Sequence, residues 1–201
     1  MDSRERVKCS CVYCTVSLMK SLTWIIIVVV VAVLWFFVRS RHNYRRADPK
    51  VYLGLRNLAL QDPQVVKINA DPAKPAQPYV VLMDWGVGRG TATVAAFADG
   101  TASIYLSSGG GFLGGGQSHE SIRNAAKKMV EIGGELQPLM QPTATYPLPQ
   151  RGQVTFYVRT GAGVFTAGAS DDDLRSHRSP FFRLGDAGQT IITEYRLMKK
   201  E

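Results

Sequence analysis

Residues 79–107 read YVVLMDWGVGRGTATVAAFADGTASIYLS. The stretch opens on an apolar run, Tyr79 to Asp84, which Trp85-Gly86-Val87-Gly88-Arg89-Gly90 breaks. Two further β-prone runs, Thr91 to Ala98 and Thr101 to Ser107, flank Asp99-Gly100. Asp-Gly between such runs predicts a hairpin, because both central residues of a two-residue turn need positive φ. The alternating glycines of 85–90 predict a turn or bulge between strands. Three consecutive antiparallel strands follow.

Working outward, the C-terminal side supplies helices and a second hairpin. Ser118 fits an N-cap, Glu120 lies in the first turn, and Ile122, Ala125, Ala126, Met129 and Val130 recur at helical spacing. Gly133-Gly134 predicts the end of that helix. Residues 137–150 hold four prolines and read as a long loop. Val154 to Arg159 and Val164 to Ala167 pair across Gly161-Ala162-Gly163. Ser170 caps a helical turn, with Asp171, Asp172 and Asp173 at its positive end. After Pro180, residues Phe181, Leu184, Ile191, Ile192 and Tyr195 predict a final helix, weakened by Gly185 and Gly188. On the N-terminal side, Asp48-Pro49 opens a helix in which Val51, Leu55, Leu58 and Ala59 recur at helical spacing to about Leu60. Residues 62–78, with four prolines, read as extended connector. The expected architecture of residues 48–201 is α+β: an antiparallel sheet of about five strands with helices packed on it. This layout is loosely similar to profilin-like and roadblock-like sensor or scaffold domains. The strand grouping differs and no family motif matches, so no residue takes a role from that likeness.

Ahead of the domain, Trp24 to Val38 is fifteen consecutive apolar residues, and Leu22-Thr23 lengthens the stretch to seventeen. At about 1.5 Å per residue a helix over 22–38 reaches about 25 Å. That is slightly short of a hydrocarbon core of about 30 Å. Trp24, Trp35, Phe36 and Phe37 suit the interface, and Lys20 and Arg39 can snorkel. No small-x-small cleavage site follows, so the segment is expected to be an uncleaved single-pass anchor rather than a signal peptide. The charge of the chain divides accordingly. Residues 1–46 carry eight Lys/Arg against two acidic residues, whereas 47–201 carry sixteen against fourteen. The basic excess flanks the apolar run, which disfavours nucleic acid as a partner. The four arginines within segment 39–47 place the soluble domain on the cytoplasmic side of the lipid bilayer.

The three cysteines, Cys9, Cys11 and Cys14, all precede the anchor. A C-x-C-x-x-C cluster without a fourth Cys or a nearby His is a poor closed zinc site, so no metal is expected. Met19-Lys20-Ser21 stands directly before the apolar run and reads as a translation start. On that reading residues 1–18 of the 1–21 extension are not made. Both readings stay open.

The segment richest in unusual chemistry lies between a strand and a helix: Ser107-Ser108-Gly109-Gly110-Gly111-Phe112-Leu113-Gly114-Gly115-Gly116. Glycines let backbone N–H groups approach a phosphate, and the following helix N-terminus favours anions. Arg123 sits about one turn into that helix. These residues are the candidate ligand site, for a nucleotide or another small anionic effector. Against it, no G-x-x-x-x-G-K-[ST] is present, G-x-G-x-x-G is met only loosely by Gly109, Gly111 and Gly114, and the strand is not part of a βαβ unit. The structural reading is a packed loop with Phe112 and Leu113 as an apolar plug. A nucleophilic set of Ser107 or Ser108, His119 and Asp84 lacks the G-x-S-x-G elbow. No catalytic set, metal set or cofactor is expected. The leading expectation is therefore a membrane-anchored, non-enzymatic domain that binds a partner protein or small effector. The alternative is a nucleotide- or anion-binding module, or enzyme, using the loop 107–116.

Overall fold

The computed structural model describes residues 49–62, 64–65 and 73–198. The extension 1–21, the expected anchor 22–38 and the basic segment 39–47 lie outside these residues. Among the described residues no helix is long and apolar enough to cross a membrane.

Helix α1 (Pro49–Gln61) precedes strands β1 (Pro78–Val87), β2 (Gly90–Phe97), β3 (Ala102–Leu106) and β4 (Gly111–Phe112). Helix α2 (Glu120–Leu136) follows, then β5 (Gln141–Thr143), β6 (Gln153–Thr160), β7 (Gly163–Ser170), the short α3 (Asp171–Arg175) and α4 (Phe182–Met198). All strands pair antiparallel in one sheet of order β4-β3-β2-β1-β6-β7-β5. The α+β expectation holds, and the expected five strands become seven. The two additions are edge strands of two and three residues. They fall in the glycine-rich and proline-rich segments, where no alternation marks a strand; pairing with a longer neighbour makes them. Pro142 in β5 is tolerated because the strand is at the edge.

Strand alternation sends odd and even positions of β1 to opposite faces. Val81 and Met83 join Val94, Ala96, Ile104, Phe156 and Val158 on the face that α2 and α4 cover. Ile122, Met129, Leu184 and Ile191 of these helices are fully buried there. Burying each such side chain contributes roughly 1.5–3 kcal/mol. Val80 and Leu82 join Ala95, Tyr105 and Tyr157 on the opposite face, beneath α1.

Three sequence expectations need correction. First, α2 does not end at Gly133-Gly134 but runs to Leu136. Those glycines serve contact: a Cβ on Gly133 would stand 2.6 Å from a methyl of Val81, and one on Gly188 of α4 would stand 2.6 Å from the Met83 sulfur. The helices lie close to the sheet because these positions carry no side chain. Second, at Asp99-Gly100 only Gly100 has positive φ, at 91°. The turn is a longer loop closed by Phe97 N–H to Thr101 O at 2.9 Å, with Asp99 Oδ1 accepting from Thr101 N. Third, the side of α1 that meets the sheet is Tyr52, Arg56, Ala59 and Leu60, while Val51 and Leu58 are 62% and 50% exposed. Of the apolar set that spacing favours, Val51, Leu55, Leu58 and Ala59, only Ala59 is buried and Leu55 packs partly against the core; the bonds of Tyr52 and Arg56 hold the helix in that rotation.

Candidate functional site

The glycine-rich segment divides into two parts that do not share a site. Gly111 pairs with Tyr105 to make β4, and Gly109 N–H closes the turn onto Leu106 O at 2.9 Å. Gly114, Gly115 and Gly116 lie over the N-terminal end of α2. Gly114 N–H donates to Ser103 Oγ at 3.2 Å, and Gly115 N–H donates to the Tyr195 hydroxyl at 2.9 Å. That hydroxyl in turn donates to Ala102 O at 2.7 Å. Burial pushes the Tyr195 phenol up, which keeps the proton this relay needs. Phe112 stacks on the Tyr195 ring at 4.9 Å, so one half of the expected plug is packed, while Leu113 is 65% exposed. Arg123 points back at the segment: Nε donates to Gly116 O and an Nη to Gln117 O, both at 2.8 Å. A side chain at Gly116 would collide with Gly100 O, and one at Gly115 with Tyr195. Several donors expected for a phosphate are thus spent within the fold. The first residue before α2 is His119, not Ser118, and it makes no side-chain cap.

Ser107 and Ser108 go elsewhere. They line a hollow of about 300 Å³ beside the turn between β1 and β2, together with Arg89 and Thr91. Ser107 Oγ accepts from Thr91 N–H at 2.8 Å. Arg89 is exposed at the rim. Arg89, not Arg123, is the basic residue that shares this hollow with Ser107 and Ser108.

Asp84 is fully buried and occupied. Arg56 Nε donates to Asp84 Oδ2 at 2.8 Å, and its Nη2 stands 2.6 Å from the same oxygen. The other Nη donates to Tyr146 O at 3.0 Å. Thr93, opposite Asp84 in the β1–β2 register, donates to Asp84 Oδ1 at 2.5 Å. Its oxygen lies 2.8 Å from the Tyr52 hydroxyl. Because the Thr93 proton is committed to the carboxylate, Tyr52 must donate in that bond. The Arg56 guanidinium also lies 5.3 Å from the Tyr157 ring centroid. Burial pushes the Asp84 carboxyl up against the pull of Arg56 and Thr93, whereas the Arg56 pKa is raised because its bonds and charge contact with Asp84 outweigh burial. Arg56 therefore stays charged, and Asp84 is the member that titrates. His119 belongs to the end of α2 on the other face, so Asp84 and His119 form no catalytic pair. Beside this cluster, Arg159 donates to Ala59 O at 2.9 Å and Asp62 O at 3.0 Å, satisfying carbonyls at the C-terminal end of α1.

The other face carries a cleft that the sequence did not announce. It has a volume of about 250 Å³ and opens between the sheet, α3 and α4. Met83, Trp85 and Val154 form its sheet side. Its position follows from α3, whose start is set by Ser170 Oγ accepting from Asp173 N–H at 3.0 Å, as the sequence predicts. The only hint in the sequence was Trp85, read there as part of a glycine-rich break, whereas β1 runs through it to Val87 and only Gly88-Arg89 makes the turn. Among the described residues no group of three or more His, Cys, Asp and Glu is arranged to hold a metal ion.

No family model matches the chain, and no curated protein or solved structure is significantly similar to it.

Proposed function

We propose that the chain is a membrane-anchored, non-enzymatic binding domain that meets a membrane-resident protein partner on the outer side of α1, at the cytoplasmic face. The observation that carries this reading is the orientation of α1. Its inner side is fastened by Arg56–Asp84 and Tyr52–Thr93, which leaves Val51 and Leu58 outward, seven residues apart and on one flank of the helix. Exposed apolar side chains that recur on one helix flank suit an apolar surface of a partner. The proposed anchor at 22–38 ends ten residues before Pro49. Ten linking residues span at most about 35 Å, so α1 would stay near the bilayer and meet other proteins held there.

The test is a photo-crosslinking amino acid placed at position 58 of the full chain in native membranes. A discrete protein adduct, lost when Val51→Glu is added, supports the reading; adducts with lipid alone count against it. Export of a C-terminal reporter would overturn the cytoplasmic side. Release of the chain from membranes by removal of residues 1–18 alone would overturn the anchor.

A second reading has one observation in its favour. Ser107, Ser108 and exposed Arg89 share the hollow at the β1–β2 turn, which suits a small anionic effector. Concentration-dependent thermal stabilisation by a nucleotide or anion, abolished by Arg89→Ala but not by Arg123→Ala, would promote it.

A further inference from the structure

The cleft between the sheet, α3 and α4 has the composition of a small-ligand site. It lies on the sheet face opposite α1, so nothing in its argument depends on the partner surface above. Its apolar lining is Met83, Val154 and Leu174, which are buried, and Trp85, which is half-buried. Its polar lining is Asp171, Arg175, Asp186 and Gln189, of which Arg175 and Asp186 are exposed. An apolar hollow with a few convergent polar groups is the usual form of a small-molecule site.

The lining also has a sign. Arg175 is already paired with Asp171. Asp186 is 62% exposed, and the basic group nearest to it among the described ion pairs is His177 Nε2 at 3.9 Å, the outer limit of such a contact. The lining therefore carries one carboxylate in excess, in a cleft that Trp85 also borders. The carboxylate favours a cation by charge, and the aromatic and apolar lining favours an apolar body attached to it.

We propose that this cleft binds a small organic monocation with an aromatic or compact apolar body. The apolar body would lie against Met83 and Trp85, and the ammonium would lie against Asp186 with the Gln189 amide beside it.

The chain allows a direct readout, because Trp85 is the only tryptophan after residue 35. The full chain with Trp24→Phe and Trp35→Phe, held in lipid nanodiscs, reports emission from the cleft alone. It is titrated with benzylammonium, benzyl alcohol and benzoate at fixed ionic strength, by Trp85 emission and by calorimetry. Expected is saturable binding of benzylammonium, about two- to fivefold weaker binding of benzyl alcohol and weaker still of benzoate. Asp186→Asn should weaken benzylammonium binding by about two- to fivefold with the melting temperature unchanged, since the side chain is largely exposed. Asp186→Lys should reverse the preference toward benzoate. Equal action of all three probes, retention of full benzylammonium affinity in Asp186→Asn, or no saturable signal by either method would overturn the proposal.

Discussion

On one face of the sheet, α2 and α4 lay Ile122, Met129, Leu184 and Ile191 onto Val81, Met83, Phe156 and Val158, with no charged group among them. On the other, α1 lays Tyr52 and Arg56 onto Thr93 and Asp84. The same seven strands thus offer two kinds of surface. The apolar face gains stability with every side chain buried, and its helices are seated by close packing, with Gly133 and Gly188 against Val81 and Met83. The polar face gains little net energy from its ion pair, because desolvating both groups offsets their attraction. What it gains is placement. Arg56 can satisfy Asp84, Tyr146 O and the Tyr157 ring together only when α1 takes one rotation and one height along its axis. That rotation is what turns Val51 and Leu58 outward.

The contrast can be broken by mutation, and the largest effect should come from leaving a charge alone. Asp84→Ala strands the Arg56 guanidinium in a site where it is 2% exposed, and should cost roughly 3–5 kcal/mol in denaturant unfolding. The double replacement Arg56→Met with Asp84→Leu should recover most of that loss, because an apolar pair needs no partner. If the double variant is as unstable as the single one, the pair itself is a main source of stability and the contrast fails. On the apolar face, Met129→Ala should cost about 2–5 kcal/mol through lost burial and the cavity left behind, with no second substitution elsewhere able to rescue it. Smaller again, Tyr52→Phe removes one hydrogen bond to Thr93 and should cost about 0.5–1.5 kcal/mol.

Acid separates two carboxylates of different setting. Burial holds Asp84 above the usual carboxylate value, so its contribution to stability is full below the unfolded value near 3.8 and is lost as pH rises through the raised one. Bonds from Ser170 and Arg178 hold exposed Asp173 below that value, so its contribution is present above about 3.8 and is lost as pH falls through the depressed one. Acidification from pH 7 should therefore favour the native chain over Asp84→Asn, and disfavour it relative to Asp173→Asn. Stability curves of the three proteins against pH check both signs.

Much of the framework was legible in the residues. The runs around Asp99-Gly100 and Gly161-Ala162-Gly163 mark hairpins through turn chemistry, and Ser170 marks its cap through local bonds to Asp173. These signals act within a few residues. What was not legible depends on partners far along the chain. Gly133 looks like a helix end until Val81 is known to lie against it. Glycines 114–116 look like a phosphate loop until Tyr195, eighty residues on, is found on Gly115. Arg56 inside an apolar helix and Asp84 at the end of an apolar strand were each visible, and their pairing was the missing inference. A buried charge on each of two elements is itself a signal that the elements meet. The Trp85 cleft left almost no trace, because a hollow is made by what three separate elements fail to fill.

The central claim is that α1 is seated by Tyr52, Arg56, Ala59 and Leu60, with Arg56 fixing its rotation, and turns Val51 and Leu58 to the outside. Thiol labelling of the purified full chain, with Cys9, Cys11 and Cys14 replaced by serine, measures this directly. Leu58→Cys should react at close to the rate of an unfolded thiol, while Ala59→Cys, one residue on and 2% exposed in the native chain, should be strongly protected. Protection of position 58 together with free reaction at position 59 would contradict the account.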